Sequence, residues 1–100
     1  MTKQEEKKAR EEALFQAFLQ LKNAEEWRNF ITDLCTPQEI ANLAERWEIA
    51  QLLDGADLSY RDISARTGAS TTTVGRVARF LTQESYQGYR LILDRMRKRK

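Results

Sequence analysis

Arg61, Arg66, Arg76 and Arg79 lie in one short stretch, Ser59–Leu81, interleaved with Ser59, Ser70 and the run Thr71-Thr72-Thr73. That mixture suits polyanion chemistry. Arginine donates in pairs to phosphate or to guanine edges, and threonine offers a hydroxyl together with a methyl. The same inventory excludes other chemistry. The chain has no histidine and a single cysteine, Cys35. Zinc sites, imidazole acid–base catalysis, Cys–His nucleophiles and internal disulfides are therefore ruled out. Glu45 and Glu48 are helix-spaced carboxylates with no metal partner or glycine-rich phosphate loop beside them, so no enzyme, metal or cofactor is expected. Cys35 reads as a small apolar residue.

The stretch that carries the arginines has a local structure of its own. Ser59 is an N-cap, with Asp62 at the capping-box position, and Ile63 gives the first helix an apolar face. Gly68 ends that helix, where the left-handed conformation costs least without a Cβ. Ser70 caps a second helix in which Val74, Val77, Phe80 and Leu81 form the inner side, leaving Thr71, Thr72, Gly75, Arg76 and Arg79 outside. Two short helices around a glycine turn, the second polar and basic on its outer face, describe a helix-turn-helix over 59–81.

Charge along the chain is unevenly placed. Residues 27–58 carry two basic and six acidic side chains, while 59–81 carry four arginines against Asp62. Residues 90–100 carry six basic side chains against Asp94, although the net charge is only +2. Such separation argues for a polyanion at one end of the molecule. Cations at a helix C-terminus also complement the macrodipole, so a structural role for the basic tail stands beside phosphate contact.

The elements that must position this stretch read as helices. At 100 residues, 41% apolar and 32% charged, the chain is globular in composition, and one proline among many Leu, Ala, Glu and Lys favours helix. Residues 1–12 read as a charged, frayed start. Residues 13–100 read as a single helical DNA-binding domain. Leu14, Phe15, Phe18, Leu19 and Leu21 form a broad apolar face from Ala13. Asn23 caps a helix with Trp27, Phe30, Ile31 and Leu34 at i, i+3, i+4 and i+7, aromatics read as core or dimer contacts rather than base-stacking platforms. Thr36-Pro37-Gln38-Glu39 starts the helix that forms the spine, with Ile40, Leu43, Ala44, Trp47, Ala50 and Leu53 along one face and Ile49 and Leu52 widening it. Asp54-Gly55 stops that helix. A last helix places Tyr86, Tyr89, Leu93 and Met96 together. The expectation is all-α, with about six helices. No apolar run approaches the ~20 residues of a membrane span, so a cytoplasmic location and no membrane partner are expected.

The run Cys35–Leu81 resembles the Trp repressor family of bacterial transcription regulators, most closely its YerC/YecD-type relatives. The shared pieces are Thr36-Pro37-x-Glu39, Ala44-x-Arg46, Leu52-Leu53-x-Gly55, Ser59-x-Arg61-Asp62-Ile63, and Gly68-Ala69 before a threonine-rich helix that reaches Arg76. Order and spacing match except for one extra residue near 56–58. The resemblance implies an intertwined homodimer held through N-terminal and central helices, and a corepressor, tryptophan, whose ring lies between two arginines. Arg46 and Arg76 fall at those places, and Thr36 and Thr73 match pocket positions. Val77 stands where the family has a glycine against the indole, and Phe80 where it has a serine near the amino group. The pocket is thus expected to be wholly or partly self-filled, and tryptophan is not expected to bind.

Together these readings give a sequence-specific DNA-binding regulator, a repressor in kind, gripping a pseudo-palindrome as a dimer. Thr71, Thr72 and Thr73 face base edges or phosphates, and the resemblance places Arg61 at a base or phosphate. Ser59, Tyr60 and Ser70 suit phosphate contacts. Arg66, Arg76 and Arg79 are further candidates, with surface solvation the alternative for Arg66 and Arg79. Gly75, unfavourable in mid-helix by roughly 1 kcal/mol against alanine, points to a close approach by DNA or by a neighbouring helix. The rival reading is a non-enzymatic helical dimer that binds RNA or protein.

Overall fold

Thr2 opens the first helix. Its hydroxyl accepts from the Glu5 backbone N–H at 3.1 Å, and the Glu5 carboxylate accepts from the Thr2 N–H at 3.1 Å. In the computed structural model, which describes residues 1–98, this capping box starts α1 (Lys3–Phe18). Residues 3–12 are therefore helical rather than frayed, though they are solvent-exposed. The helix begins ten residues before Ala13. Charged residues hide no apolar stripe, but two reciprocal hydrogen bonds at a helix start satisfy donors that would otherwise be orphaned.

Five further helices follow: α2 (Ala24–Leu34), α3 (Pro37–Gly55), α4 (Tyr60–Thr67), α5 (Thr71–Thr82) and α6 (Gly88–Lys98). Among the described residues the chain is all-α, with six helices and no strand. Asn23 caps α2 by accepting from Glu26 N–H at 2.9 Å. The Glu26 carboxylate accepts from Lys22 N–H, one residue before the cap, rather than closing a box on Asn23. Tyr86, expected in the last helix, lies before α6. Gln87 takes a left-handed φ of 57°, which turns the chain between Tyr86 and the helix.

The chain groups into two compact units, Met1–Pro37 and Gln38 onward. The division falls inside the stretch 13–100 that was expected to be one domain. The first unit holds an aromatic cluster: Phe18 stacks on Trp27 at 5.1 Å and meets Phe30 edge-on at 5.9 Å. No residue of this unit is buried, however, and Phe15, Leu19, Trp27 and Leu34 are all substantially exposed. Two amphipathic helices cannot enclose a core between them, because each has only one apolar face.

The second unit has the core. Ile49 and Ala50 of α3, Ile63 of α4, Ala69 of the turn, and Val74 and Val77 of α5 are buried together. Trp47, Leu52, Leu53, Leu58 and Tyr89 pack around them. Only the second half of α3 is enclosed, since Leu43 remains 47% exposed. At the far end of α3, Asp54 accepts from Arg90 Nη2 at 2.7 Å and is also bonded by Arg97, tying α6 to α3. The Arg90 hydrogen bond holds the Asp54 carboxyl below its ordinary range, and the charges of Arg90 and Arg97 add to the effect.

Candidate nucleic-acid interface

Ser59 starts α4 as its sequence demands. Its hydroxyl accepts from Asp62 N–H at 3.1 Å, and Asp62 accepts from Ser59 N–H at 3.3 Å. Gly68 ends the helix at φ 81°, a conformation that strains any residue with a Cβ. The turn 68–70 is then locked from the side. Ser64 donates to the Ala69 carbonyl at 2.6 Å, and Thr67 donates to the Ile63 carbonyl at 2.8 Å while accepting from Ala69 N–H at 3.2 Å. Ser70 caps α5 by accepting from Thr73 N–H at 3.1 Å. The inner faces of both helices meet through Ile63, Val74 and Val77, none of which reaches solvent.

That inner packing determines what remains outside. Ser59, Tyr60, Arg61, Arg66, Ser70, Thr71, Thr72, Arg76 and Arg79 are exposed, while Thr73 and Gly75 are half-buried. The Thr73 hydroxyl lies 3.1 Å from Ser70 Oγ and so is engaged in the cap. Gly75 is not pressed by its own chain: the nearest atom to a Cβ built there is Tyr60 Cε2, at 4.0 Å. A neighbouring helix of this chain is therefore not what Gly75 makes room for. Arg79 pairs with Glu84 at 3.6 Å, which spends part of its charge locally. Arg97 of the basic tail is engaged by Asp54. Arg99 and Lys100 lie outside the described residues.

Of the six residues expected to form one ligand slot, the five in the second unit have different surroundings. Val77 is a core residue. Arg46 and Thr73 line a cleft of about 260 Å³ with Asn42, Glu45 and the turn. Arg76 and Phe80 line a different, open cavity of about 750 Å³ with Trp47, Tyr86, Tyr89 and Ile92. Thr36 belongs to the Met1–Pro37 unit. Within the larger cavity the Arg76 guanidinium sits 4.3 Å from the Phe80 ring centre, and Phe80 in turn stacks on Tyr86 at 6.2 Å. Arg76 thus already has an aromatic face, supplied by its own helix. Trp47, Tyr86 and Tyr89 were not singled out as cavity residues from sequence. They come from helices and a turn distant in the chain, and helical spacing alone assigned them to core faces.

A family model described as Trp repressor protein matches residues 9–97. The chain belongs to the Trp repressor family. It is 43% identical over 84 residues to the uncharacterized protein YerC of Bacillus subtilis, covering 84% of this chain and 79% of that one. A candidate Trp repressor from Staphylococcus aureus superposes with a TM-score of 0.79 at 40% identity, over 89% of this chain and 87% of that chain. A TrpR-like protein from Eubacterium eligens gives 0.76 at 42% identity, over 85% and 86%. The family is one of DNA-binding regulators rather than enzymes. No helix among the described residues is long and apolar enough to cross a membrane. Val77 and Phe80 are the two residues that the resemblance sets at pocket positions with added apolar bulk. The first is sealed in the core, and the second is stacked beneath the arginine of the same helix.

Proposed function

We propose that this protein is a cytoplasmic, sequence-specific DNA-binding regulator, a repressor in kind, that acts as a homodimer and does not use tryptophan. The observation that carries the reading is the division of α4 and α5 into a sealed inner face and an outer face bearing Tyr60, Arg61, Thr71, Thr72 and Arg76. Arginine forks and threonine side chains on one helix surface match phosphates and major-groove base edges. The caps at Ser59 and Ser70 fix both helix starts, so the outer face is held before DNA arrives and less ordering accompanies binding.

The first unit supports the homodimer reading. Phe15, Leu19, Trp27 and Leu34 remain exposed, and contiguous apolar surface of that kind marks an association site. A two-fold dimer presents two α5 helices, which calls for a pseudo-palindrome with half-sites about one helical turn apart. The independence from tryptophan is supported by the Arg76–Phe80 stack, in which the guanidinium already lies 4.3 Å from the centre of an aromatic ring of its own helix.

Selection from a random duplex pool, with and without tryptophan, tests this reading. The expected outcome is one enriched palindromic motif that is unchanged by tryptophan, with affinity falling steeply as salt rises. Failure to bind any duplex at ~10 μM and low salt, well inside the range of ordinary non-specific binding, removes the DNA reading. Enrichment only in the presence of tryptophan removes the ligand-independent part.

A further inference from the structure

Gly75 sits in the interior of α5, near the centre of the outer strip formed with Thr71, Thr72, Arg76 and Arg79. Two common reasons for a mid-helix glycine are absent. Its φ is not positive, since Gly68 is the glycine with that conformation. Nor does the chain crowd it, because a Cβ would come no closer than 4.0 Å to the Tyr60 ring and would meet only an ordinary contact. Alanine would fit and would favour the helix. What alanine would remove is a recess, with the α5 backbone at Gly75 as its floor and the Tyr60 ring as its wall. Tyr60 is 47% exposed at the start of α4, held there by the Ser59–Asp62 capping box. Gly75 is half-buried, so solvent reaches the recess.

We propose that the Gly75–Tyr60 recess receives the C5-methyl group of a thymine in the major groove, making this pair a determinant of sequence specificity. The proposal rests on the DNA-binding reading above and deepens it. The space suits a small apolar group, because a single carbon added at Gly75 meets only an ordinary 4.0 Å contact with the Tyr60 ring. The walls are apolar, being a ring edge and a helix backbone whose N–H and C=O groups are engaged along the helix. Thr72 and Arg76 flank it and supply the polar contacts that set register on the duplex. A base methyl is the one apolar group that the major groove displays and the minor groove lacks. Tyr60 thereby acts on bases through its ring, whereas its hydroxyl is free to meet a phosphate.

The test removes only the methyl. With the selected duplex in hand, each thymine is replaced singly by deoxyuridine, and binding of the full-length protein is measured by fluorescence anisotropy. One symmetry-related thymine position should lose roughly four- to tenfold in affinity per half-site, the weight of one buried methyl. Gly75→Ala and Tyr60→Ala should bind thymine and deoxyuridine duplexes equally at that position, while Tyr60→Phe should still discriminate. Circular dichroism and urea unfolding check that the variants are folded. If the wild-type protein binds its selected duplex but no deoxyuridine position is affected, or both variants keep the discrimination, the recess is not a methyl site. If the wild-type protein binds no duplex, the DNA reading itself has failed.

Discussion

The resemblance to the family implies a glycine at the position of Val77, and replacing this residue tests what the valine does. The side chain is fully buried among Ile49, Ala50, Ile63, Ala69 and Val74. Val77→Ala should cost about 2 kcal/mol, combining the lost burial of a valine truncated to its Cβ with a partly collapsed cavity. Val77→Gly should cost about 1 kcal/mol more, because glycine is that much worse than alanine inside a helix. About 3 kcal/mol is a large share of the ~5–15 kcal/mol that a domain of this kind has in total. The assay is urea unfolding followed by circular dichroism, at one fixed protein concentration because the proposed dimer would contribute to the apparent value. Both variants should have lower midpoints at an unchanged denaturant slope. Calorimetric titration of Val77→Gly with tryptophan should show no binding, because Phe80 still stacks on Arg76 in the variant. A loss below ~0.5 kcal/mol for Val77→Gly, the size of an ordinary surface substitution, would falsify the view that this residue is a core element. Tryptophan binding at micromolar concentration by the variant would show that a latent slot had merely been plugged.

Other perturbations follow from the same geometry. Asp54→Asn should lower the urea midpoint at neutral pH by releasing Arg90 and Arg97 from α3. Because the Asp54 carboxyl is held below its ordinary value of 3.8, its contribution is present above that value. It is lost as pH falls through the depressed folded value, so the gap between wild type and variant should close in acid. A gap that stays constant down to strongly acidic pH would point to packing rather than charge. Gly68→Ala should cost about 1–2 kcal/mol, the penalty for a Cβ in the left-handed region, with the loss read in the same unfolding assay. Nothing crowds a Cβ there, so a larger loss would require another cause. Arg61→Ala should reduce discrimination between cognate and scrambled duplex by about 1–3 kcal/mol if it reads a base. An equal weakening on both duplexes would make it a phosphate contact instead.

Local signals were legible in the sequence because they depend on neighbours in the chain. The Ser59–Asp62 box, the Gly68 turn, the Ser70 cap and the start at Pro37 each involve residues within one helical turn, and each was placed from residue types alone. The Thr2–Glu5 box is equally local, but it lies in a charged start that has no apolar periodicity to mark a helix. The inner face of α5 was legible as a stripe, although Phe80, assigned to it, lines the open cavity instead.

Only the tertiary structure decided which stripes meet. Periodicity marks a face as apolar without naming its partner, so it shows Trp47 and Tyr89 as core-facing, which they are, but not that they also line a cavity beside Arg76 together with Tyr86. The pairing of Asp54 with Arg90 spans 36 residues and leaves no trace in either neighbourhood. Family correspondence likewise placed six residues at one slot, whereas Val77 is buried in the core and Phe80 stacks with Arg76 of its own helix. The sequence by itself determined where helices begin, turn and end, because caps and glycines act within a few residues. Contacts between helices decided the cavities and the ion pairs, since those depend on distances that no local pattern encodes.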